Sequence, residues 1–235
     1  MKALYKKEMK SYFYSPIGYV VVGLMLFVFG LYFWLGVLRS YSSSYIPQVY
    51  QAMLIWFMMI IPIITMKSFS EEIHNKTDQG LLTYPIGVGT VVMAKFFAAM
   101  SVFAIAILGS LIPVVIMSFF SSPAWPQILG TVLGTLLYGA AMVSIGIFIS
   151  SLTKSQIIAA MGTFGVSILL LLIDSMASSI QVTFLANLLG WISFTSRYQP
   201  FANGILNISS IVFFLSVTAV FTFLTARKVE SKRWS

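Results

Sequence analysis

The sequence predicts an all-α polytopic membrane protein with six transmembrane helices. Of its 235 residues, 59% are hydrophobic and only 9% are charged, and the mean hydropathy is +0.94. A soluble domain carries about 25% charged residues, so this chain has too little polar surface to cover a soluble fold. Its apolar runs are continuous and do not alternate with polar residues, which favours helices over the strands of a membrane barrel.

Each predicted span is an apolar run long enough to cross a bilayer core, which takes about 20 residues. Polar or turn-forming residues separate the runs. The six predicted spans are residues 17–38, 46–66, 91–120, 124–150, 156–173 and 206–226.

The basic residues predict the orientation. With six spans, both termini lie on one side, and that side receives twelve of the fourteen Lys and Arg residues. The other side receives only Arg39 and Arg197. Because basic loops stay in the cytoplasm, both termini and the loop after span two are predicted to be cytoplasmic. The net charge of +8 is therefore a topological signal and not a nucleic-acid-binding one.

Residues 1–15 predict an interfacial helix before the first span. Tyr5, Met9 and Tyr12 fall on one helical face, and the lysines at 6, 7 and 10 fall on the other. Ser15-Pro16 then turns the chain into the membrane. The apolar run that follows is too long for a signal peptide and has no cleavage site, so we expect it to be retained.

One internal segment interrupts the hydrophobicity. Residues 67–89 read KSFSEEIHNKTDQGLLTYPIGVG and hold Glu71, Glu72 and Asp78, half of all acidic residues, together with the only histidine. A membrane protein that concentrates polar groups in one cytoplasmic segment is expected to contact a soluble partner there.

The spans themselves carry few polar signals. No ionisable residue lies at the centre of a span, which argues against a proton-coupled carrier or a cation channel. Pro62 and Pro113 are interpreted as local kinks rather than gating hinges. Gly130 and Gly134 form a G-x-x-x-G motif, which serves either packing within one subunit or a subunit interface.

Residues 174–206 form more than a simple loop. The apolar stretch 182–194 is too short to span and predicts an external amphipathic or re-entrant helix. Such an element could close a pathway from outside or could be a passive cover. The residues that would form this external gate are Trp191, Arg197, Tyr198 and Phe201.

The motifs of catalysis are absent. The chain contains no cysteine, no P-loop, no H-E-x-x-H and no G-x-S-x-G sequence. His74 has no set of ligand residues around it in the sequence, so a metal site is not expected. The protein is therefore predicted not to be an enzyme, and energy for work must come from another subunit or a gradient.

Several short motifs resemble the permease subunits of ABC-2 type exporters. Residues 1–8 (MKALYKKE) and 11–19 (SYFYSPIGY) look like the start of the gliding-motility-associated permeases. The stretches 68–72 (SFSEE) and 77–86 (TDQGLLTYPI) are similar to the first cytoplasmic loop of the family. Between spans five and six, 198–201 (YQPF) also fits the family pattern.

The resemblance implies a single ABC-2 type transmembrane domain over 1–235, with a cytoplasmic coupling helix in 67–89 and external helices in 174–206. The coupling loop would dock on an ABC ATPase subunit that holds ATP and Mg²⁺, so this chain itself would bind no cofactor. Acidic groups would set specificity and apolar groups would anchor the contact. The expected coupling residues are Glu71, Glu72, Asp78, Gln79, Leu81, Leu82, Tyr84 and Pro85.

The resemblance further implies a multi-pass protein of the bacterial cytoplasmic (inner) membrane. A second permease copy, or a related permease or auxiliary subunit, would complete an export pathway lined by spans one, two and five. An aromatic and Met-rich wall suits an amphipathic, lipid-linked or polymeric substrate. Its candidate residues are Phe27, Tyr32, Trp34, Trp56, Phe57, Met58 and Met59. Ordinary packing or lipid contact is the alternative for each of them, and a membrane scaffold in a motility or secretion machine is the alternative function.

Overall fold

The computed structural model describes residues 1–77, 87–179 and 190–231, except for the side chains of residues 174 and 176–179. Within these ranges, all regular elements are helices. Six of these helical stretches are long and apolar enough to cross a membrane, which confirms the predicted number. The principal helices are α1 Lys2–Tyr14, α2 Pro16–Phe33, α3 Ile46–Thr65, α4 Lys67–His74, α5 Val88–Gly109, α6 Leu111–Ser118, α7 Trp125–Leu152, α8 Gln156–Ser179, α9 Phe194–Ala202 and α10 Ile208–Ser231.

Helix α7 is the centre of the bundle and contacts α3, α4, α5, α8, α9 and α10. Its glycines allow neighbouring helices to approach closely, because a side chain at these positions would collide with them. A Cβ built on Gly134 would lie 2.6 Å from Phe201 Cβ, and a Cβ built on Gly146 would lie 2.8 Å from Thr65 Cβ. The G-x-x-x-G face therefore packs against helices of the same chain, which confirms the intrasubunit interpretation.

The third predicted span is broken into two helices. Helix α5 ends at Gly109 and α6 begins at Leu111, with Ser110 between them. Pro113 explains the break, because its ring lacks an N–H and clashes with the carbonyl four residues earlier, that of Gly109. Helix α3, by contrast, continues past Pro62 to Thr65.

Helix α1 has the apolar face and the lysine-rich face that the sequence predicts, and its position at a membrane interface stays a prediction. Tyr12 is buried, Tyr5 and Met9 are half-buried, and the lysines at 6, 7 and 10 are exposed. The Tyr5 hydroxyl lies 2.8 Å from Ser101 Oγ on α5. The apolar face of α1 is thus held by the bundle itself.

Helix α9 lies within the segment 174–206, where external helices are expected. The predicted apolar helix over 182–194 lies mostly outside the described residues and stays a prediction, and α9 begins at Phe194. Phe194 packs edge-on against Tyr138, and Tyr198 donates or accepts a 3.0 Å hydrogen bond with Thr135 Oγ1. Because Tyr138 lies near the middle of α7, α9 enters the bundle rather than covering its surface.

Candidate functional site

A cluster of charges joins three helices at the lysine-rich end of the bundle. Lys95, two turns into α5, places its Nζ 3.0 Å from Glu8 Oε1 on α1 and 2.9 Å from Glu72 Oε1 on α4. The Lys95 side chain is only 2% exposed, and its Nζ also lies 5.1 Å from the centre of the Phe69 ring. Two carboxylates and an aromatic face together compensate the burial of this ammonium.

Helix α4 is also fastened to α7 through one hydroxyl. Ser150 Oγ accepts hydrogen bonds from the backbone N–H groups of Phe69 and Ser70, both at 3.1 Å, and donates to Met66 O at 3.1 Å. These N–H groups belong to the first turn of α4, which has no side-chain cap of its own. A residue of another helix therefore caps α4.

A tyrosine holds α1 against the junction of α3 and α4. The Tyr12 hydroxyl donates a 2.8 Å hydrogen bond to Ile64 O and lies 3.5 Å from Ser68 Oγ. Burial, together with the nearby Glu8 carboxylate, raises the pKa of Tyr12 well above its usual value, although the Ser68 contact opposes this. The phenol therefore stays protonated and remains a donor.

Replacing Ser150 with alanine is expected to destabilise the protein by about 2 kcal/mol, because two buried N–H groups of α4 lose their acceptor. The matched control is Ser144→Ala on the same helix, since the Ser144 hydroxyl bonds only to Ala141 O of its own helix among the contacts described. Thermal unfolding of the purified protein in detergent measures both variants. Equal midpoints for the two would contradict the assigned capping role of Ser150.

A pocket of about 240 Å³ opens between α1 and α4, beside the Lys95 cluster. Among the lysines in its wall, Lys7 and Lys67 lie 3.9 Å from carboxylate oxygens, which is longer than a hydrogen bond, and Lys67 also donates a 3.3 Å hydrogen bond to Ser15 Oγ. Its lining residues are Lys7, Glu8, Ser11, Tyr12, Ser15, Ile17, Lys67, Ser68, Glu71, Glu72, Asn75, Thr77 and Lys95.

The structure describes two of the eight expected coupling residues. Glu71 is exposed and faces Lys67 one turn earlier, whereas Glu72 points to Lys95 inside the bundle. The other six lie outside the described residues; they are Asp78, Gln79, Leu81, Leu82, Tyr84 and Pro85.

The expected pathway residues divide by exposure. Phe27, Trp34 and Met59 are 66%, 57% and 49% exposed on α2, the π-helical turn that follows it and α3. Trp56 is half-buried, and its indole N–H donates a 3.2 Å hydrogen bond to the Tyr32 hydroxyl. Met58 is also buried.

One expected pathway residue lies away from this surface. Phe57 is fully buried and packs edge-on against Phe103 of α5, with ring centres 5.2 Å apart. Helices α2 and α8 both contact α3. Phe57 belongs to the core and not to the exposed face of α3.

The expected gate residues also occupy two environments. Tyr198 and Phe201 are fully buried and anchor α9 against α7, where Thr131 Oγ1 donates to Phe201 O at 3.2 Å. Trp191 is exposed, and Arg197 reaches Ser209 Oγ at 2.8 Å.

A further polar contact lies beside these residues. Gln199 Oε1 accepts a 3.2 Å hydrogen bond from Gln51 Nε2, which connects the exposed side of α9 to α3. Sequence reasoning did not single out this pair.

Three residues of the charge cluster and the cap were also missed from sequence. Lys95 and Ser150 are far apart in the chain from the α4 residues that they contact, and Glu8 is equally far from Lys95 on α5. The position of Lys95 within an apolar helix was the one available signal, because an ionisable group there requires a partner.

The helices together define a multi-pass membrane protein. A family model described as ABC-2 family transporter protein matches residues 2–228. The chain therefore belongs to the ABC-2 transporter family and is a transmembrane permease subunit. A search of the curated proteins found no match.

Proposed function

We propose that this permease subunit couples ATP hydrolysis by a separate ABC ATPase to the export of an amphipathic, lipid-linked or polymeric substrate. The observation that carries the proposal is the double attachment of α4. Its first turn is held by Ser150 of α7, and its last turns are held by Lys95 of α5 through Glu72. The segment expected to receive the ATPase is thus connected to two membrane-spanning helices.

The attachment suggests how force would pass into the membrane. ATP binding would move the docked ATPase subunits, and a displacement of α4 would displace α5 and α7, because a buried ion pair and a capped helix end resist separation. Helix α3 would follow, since only Met66 separates it from α4. The bundle would then shift between inward-facing and outward-facing states according to which one the bound nucleotide favours.

The exposed faces of α2, α3 and α8 are the proposed wall of the pathway. Two permease copies, or one copy and a related subunit, would enclose it. Phe27, Trp34 and Met59 supply apolar and aromatic surface that can adapt to varied apolar groups. Phe57 is left out of this wall because it is buried in the core.

The remaining parts of the proposal concern location and subgroup. Twelve of fourteen basic residues on one side favour cytoplasmic termini in a bacterial inner membrane. The motifs in residues 1–19 favour the gliding-motility-associated group of permeases. On this orientation, α1 and α4 face the cytoplasm, where an ATPase can reach them.

The double variant Glu71→Lys, Leu82→Asp tests the coupling. It is expected to abolish association with the ATPase and ATP-dependent activity, because it reverses one exposed charge and places a carboxylate in the expected apolar anchor. Co-purification of the ATPase from solubilised membranes measures the association. The control is Glu230→Lys, which reverses an exposed acidic residue at the end of α10.

Two outcomes would contradict the proposal. Normal ATPase recovery with the double variant would remove the coupling role of the segment. Stable membrane insertion of the wild-type chain with no ATPase bound under any nucleotide condition would favour the scaffold function instead.

A further inference from the structure

The pocket between α1 and α4 lies at the foot of two exposed apolar stripes. On α2, Ile17 lines the pocket, and Val20, Leu24 and Phe27 continue the same helical face with exposed side chains. A ligand held in the pocket could therefore extend an apolar tail along α2.

The stripe on α3 reaches the pocket in the same way. Ile55, Met59 and Ile63 are exposed at intervals of four residues. Met66 keeps helical backbone angles, so Lys67 follows Ile63 one turn later and lines the pocket. Both stripes thus lead from a polar pocket onto membrane-facing apolar surface.

The charges of the pocket are balanced and incompletely paired. Among the described residues, three lysines and three glutamates line it, and their formal charges cancel. Lys95 is saturated by two carboxylates, but Lys7 and Lys67 reach their carboxylate partners only at 3.9 Å, and Lys67 also donates a 3.3 Å hydrogen bond to Ser15 Oγ. Lys95 already compensates Glu8 and Glu72, so an anion alone would leave the Glu71 carboxylate without a close cation, whereas a zwitterion can satisfy both signs.

The size of the pocket limits what can enter. Pockets for drug-sized ligands span about 300–1,000 Å³. At about 240 Å³ this pocket accommodates a headgroup and excludes a complete lipid. Its position where α2 enters its apolar run at Pro16 corresponds to the polar boundary of a bilayer.

We propose that the pocket between α1 and α4 binds the headgroup of a zwitterionic phospholipid with a primary ammonium group, of the phosphoethanolamine class. The phosphate lies between Lys7 and Lys67, with the exposed Ser11 hydroxyl as a further donor. The ammonium donates to the exposed carboxylate of Glu71. The acyl chains follow the apolar stripe that begins at Ile17. The proposal requires only membrane insertion and does not depend on coupling to an ATPase.

The first experiment uses the unmodified full chain in detergent and varies only the headgroup. Native mass spectrometry measures the dissociation constants of phosphatidylethanolamine, phosphatidylcholine and phosphatidylglycerol with identical acyl chains. Phosphatidylethanolamine is expected to bind at least about tenfold more tightly than either of the others, because trimethylation removes the ammonium donors and glycerol lacks the charge. Equal affinities for the three lipids would overturn the proposal.

Inorganic phosphate distinguishes the lipid from a free anion. Added phosphate is expected to leave phosphatidylethanolamine bound, because it supplies neither the ammonium nor the acyl chains. Displacement of the lipid by inorganic phosphate alone would assign the pocket to a soluble anion and overturn the lipid assignment.

Two matched pairs of lysine substitutions locate the site. Lys7→Gln with Lys67→Gln is expected to weaken phosphatidylethanolamine binding at least about tenfold. Lys6→Gln with Lys10→Gln removes the same charge from the exposed face of α1 and is expected to leave it unchanged. Glu71→Gln is expected to abolish the preference over phosphatidylglycerol. Equal weakening by both lysine pairs would indicate general surface attraction and overturn the proposal, and thermal unfolding of each variant confirms that it is folded.

Discussion

Substituting Lys95 with methionine is expected to destabilise the protein by about 3 kcal/mol or more. The change removes the cation shared by Glu8 and Glu72 and leaves two carboxylates facing each other in a largely buried site. Breaking a buried ion pair by removing one partner costs more than the pair itself contributes, because the remaining charge stays desolvated. Thermal unfolding in detergent, followed by tryptophan fluorescence, measures the loss.

Lys67→Met is the matched control for this change. It removes another lysine from the same pocket, but its partner Glu71 is exposed and 3.9 Å away, so we expect a loss below about 1 kcal/mol. The combination of Lys95→Met with Glu8→Gln and Glu72→Gln is expected to recover most of the stability, since no buried charge then remains. Equal effects of Lys95→Met and Lys67→Met would contradict the buried-cluster interpretation.

The second large effect is expected from Gly139→Val in α7. A Cβ at this position would lie 2.7 Å from Cδ1 of Phe103, which is fully buried and packed against Phe57. Overpacking a tight interface costs about 1–3 kcal/mol of stability. Valine adds two methyl carbons beyond the Cβ, so we expect a loss at the upper end of this range. The variant is expected to unfold at a lower temperature and to give a lower yield of folded protein from membranes.

Gly165→Val in α8 provides the comparison. Nothing lies within 4 Å of a Cβ built on Gly165, so the same chemical change meets open space. Both substitutions introduce a β-branched residue into a membrane helix, and the difference between them therefore isolates the close contact of α7 with α5. A Gly165 variant as unstable as the Gly139 variant would show that helix propensity, and not packing, governs the result.

Hydropathy alone predicted most of the fold. The long spans were found within a few residues because membrane thickness sets the length of each apolar run. The break at Ser110 could have been anticipated from Pro113, but a proline in a membrane helix does not always interrupt it, as Pro62 demonstrates in α3. The packing of α9 against α7 could not be predicted, because a short helix inside a bundle has no characteristic run length.

The candidate site was only partly predictable. Glu71 and Glu72 were singled out because acidic residues are rare in this chain, but their different environments depend on tertiary structure. Lys95 and Glu8 are 87 residues apart, and no periodic pattern connects such distant positions. The glycine-rich face of α7 could be recognised in the sequence, whereas the residues that pack against it could not.

The capping of α4 by Ser150 has a consequence for biosynthesis. An isolated helix of eight residues is marginal in water, and the donors at its first turn are matched by a residue that follows about 80 positions later. The ribosome must therefore complete the fourth span before α4 can acquire this cap. A half-made permease lacks this cap, so assembly of a complex at α4 is expected to be delayed until the bundle is nearly complete.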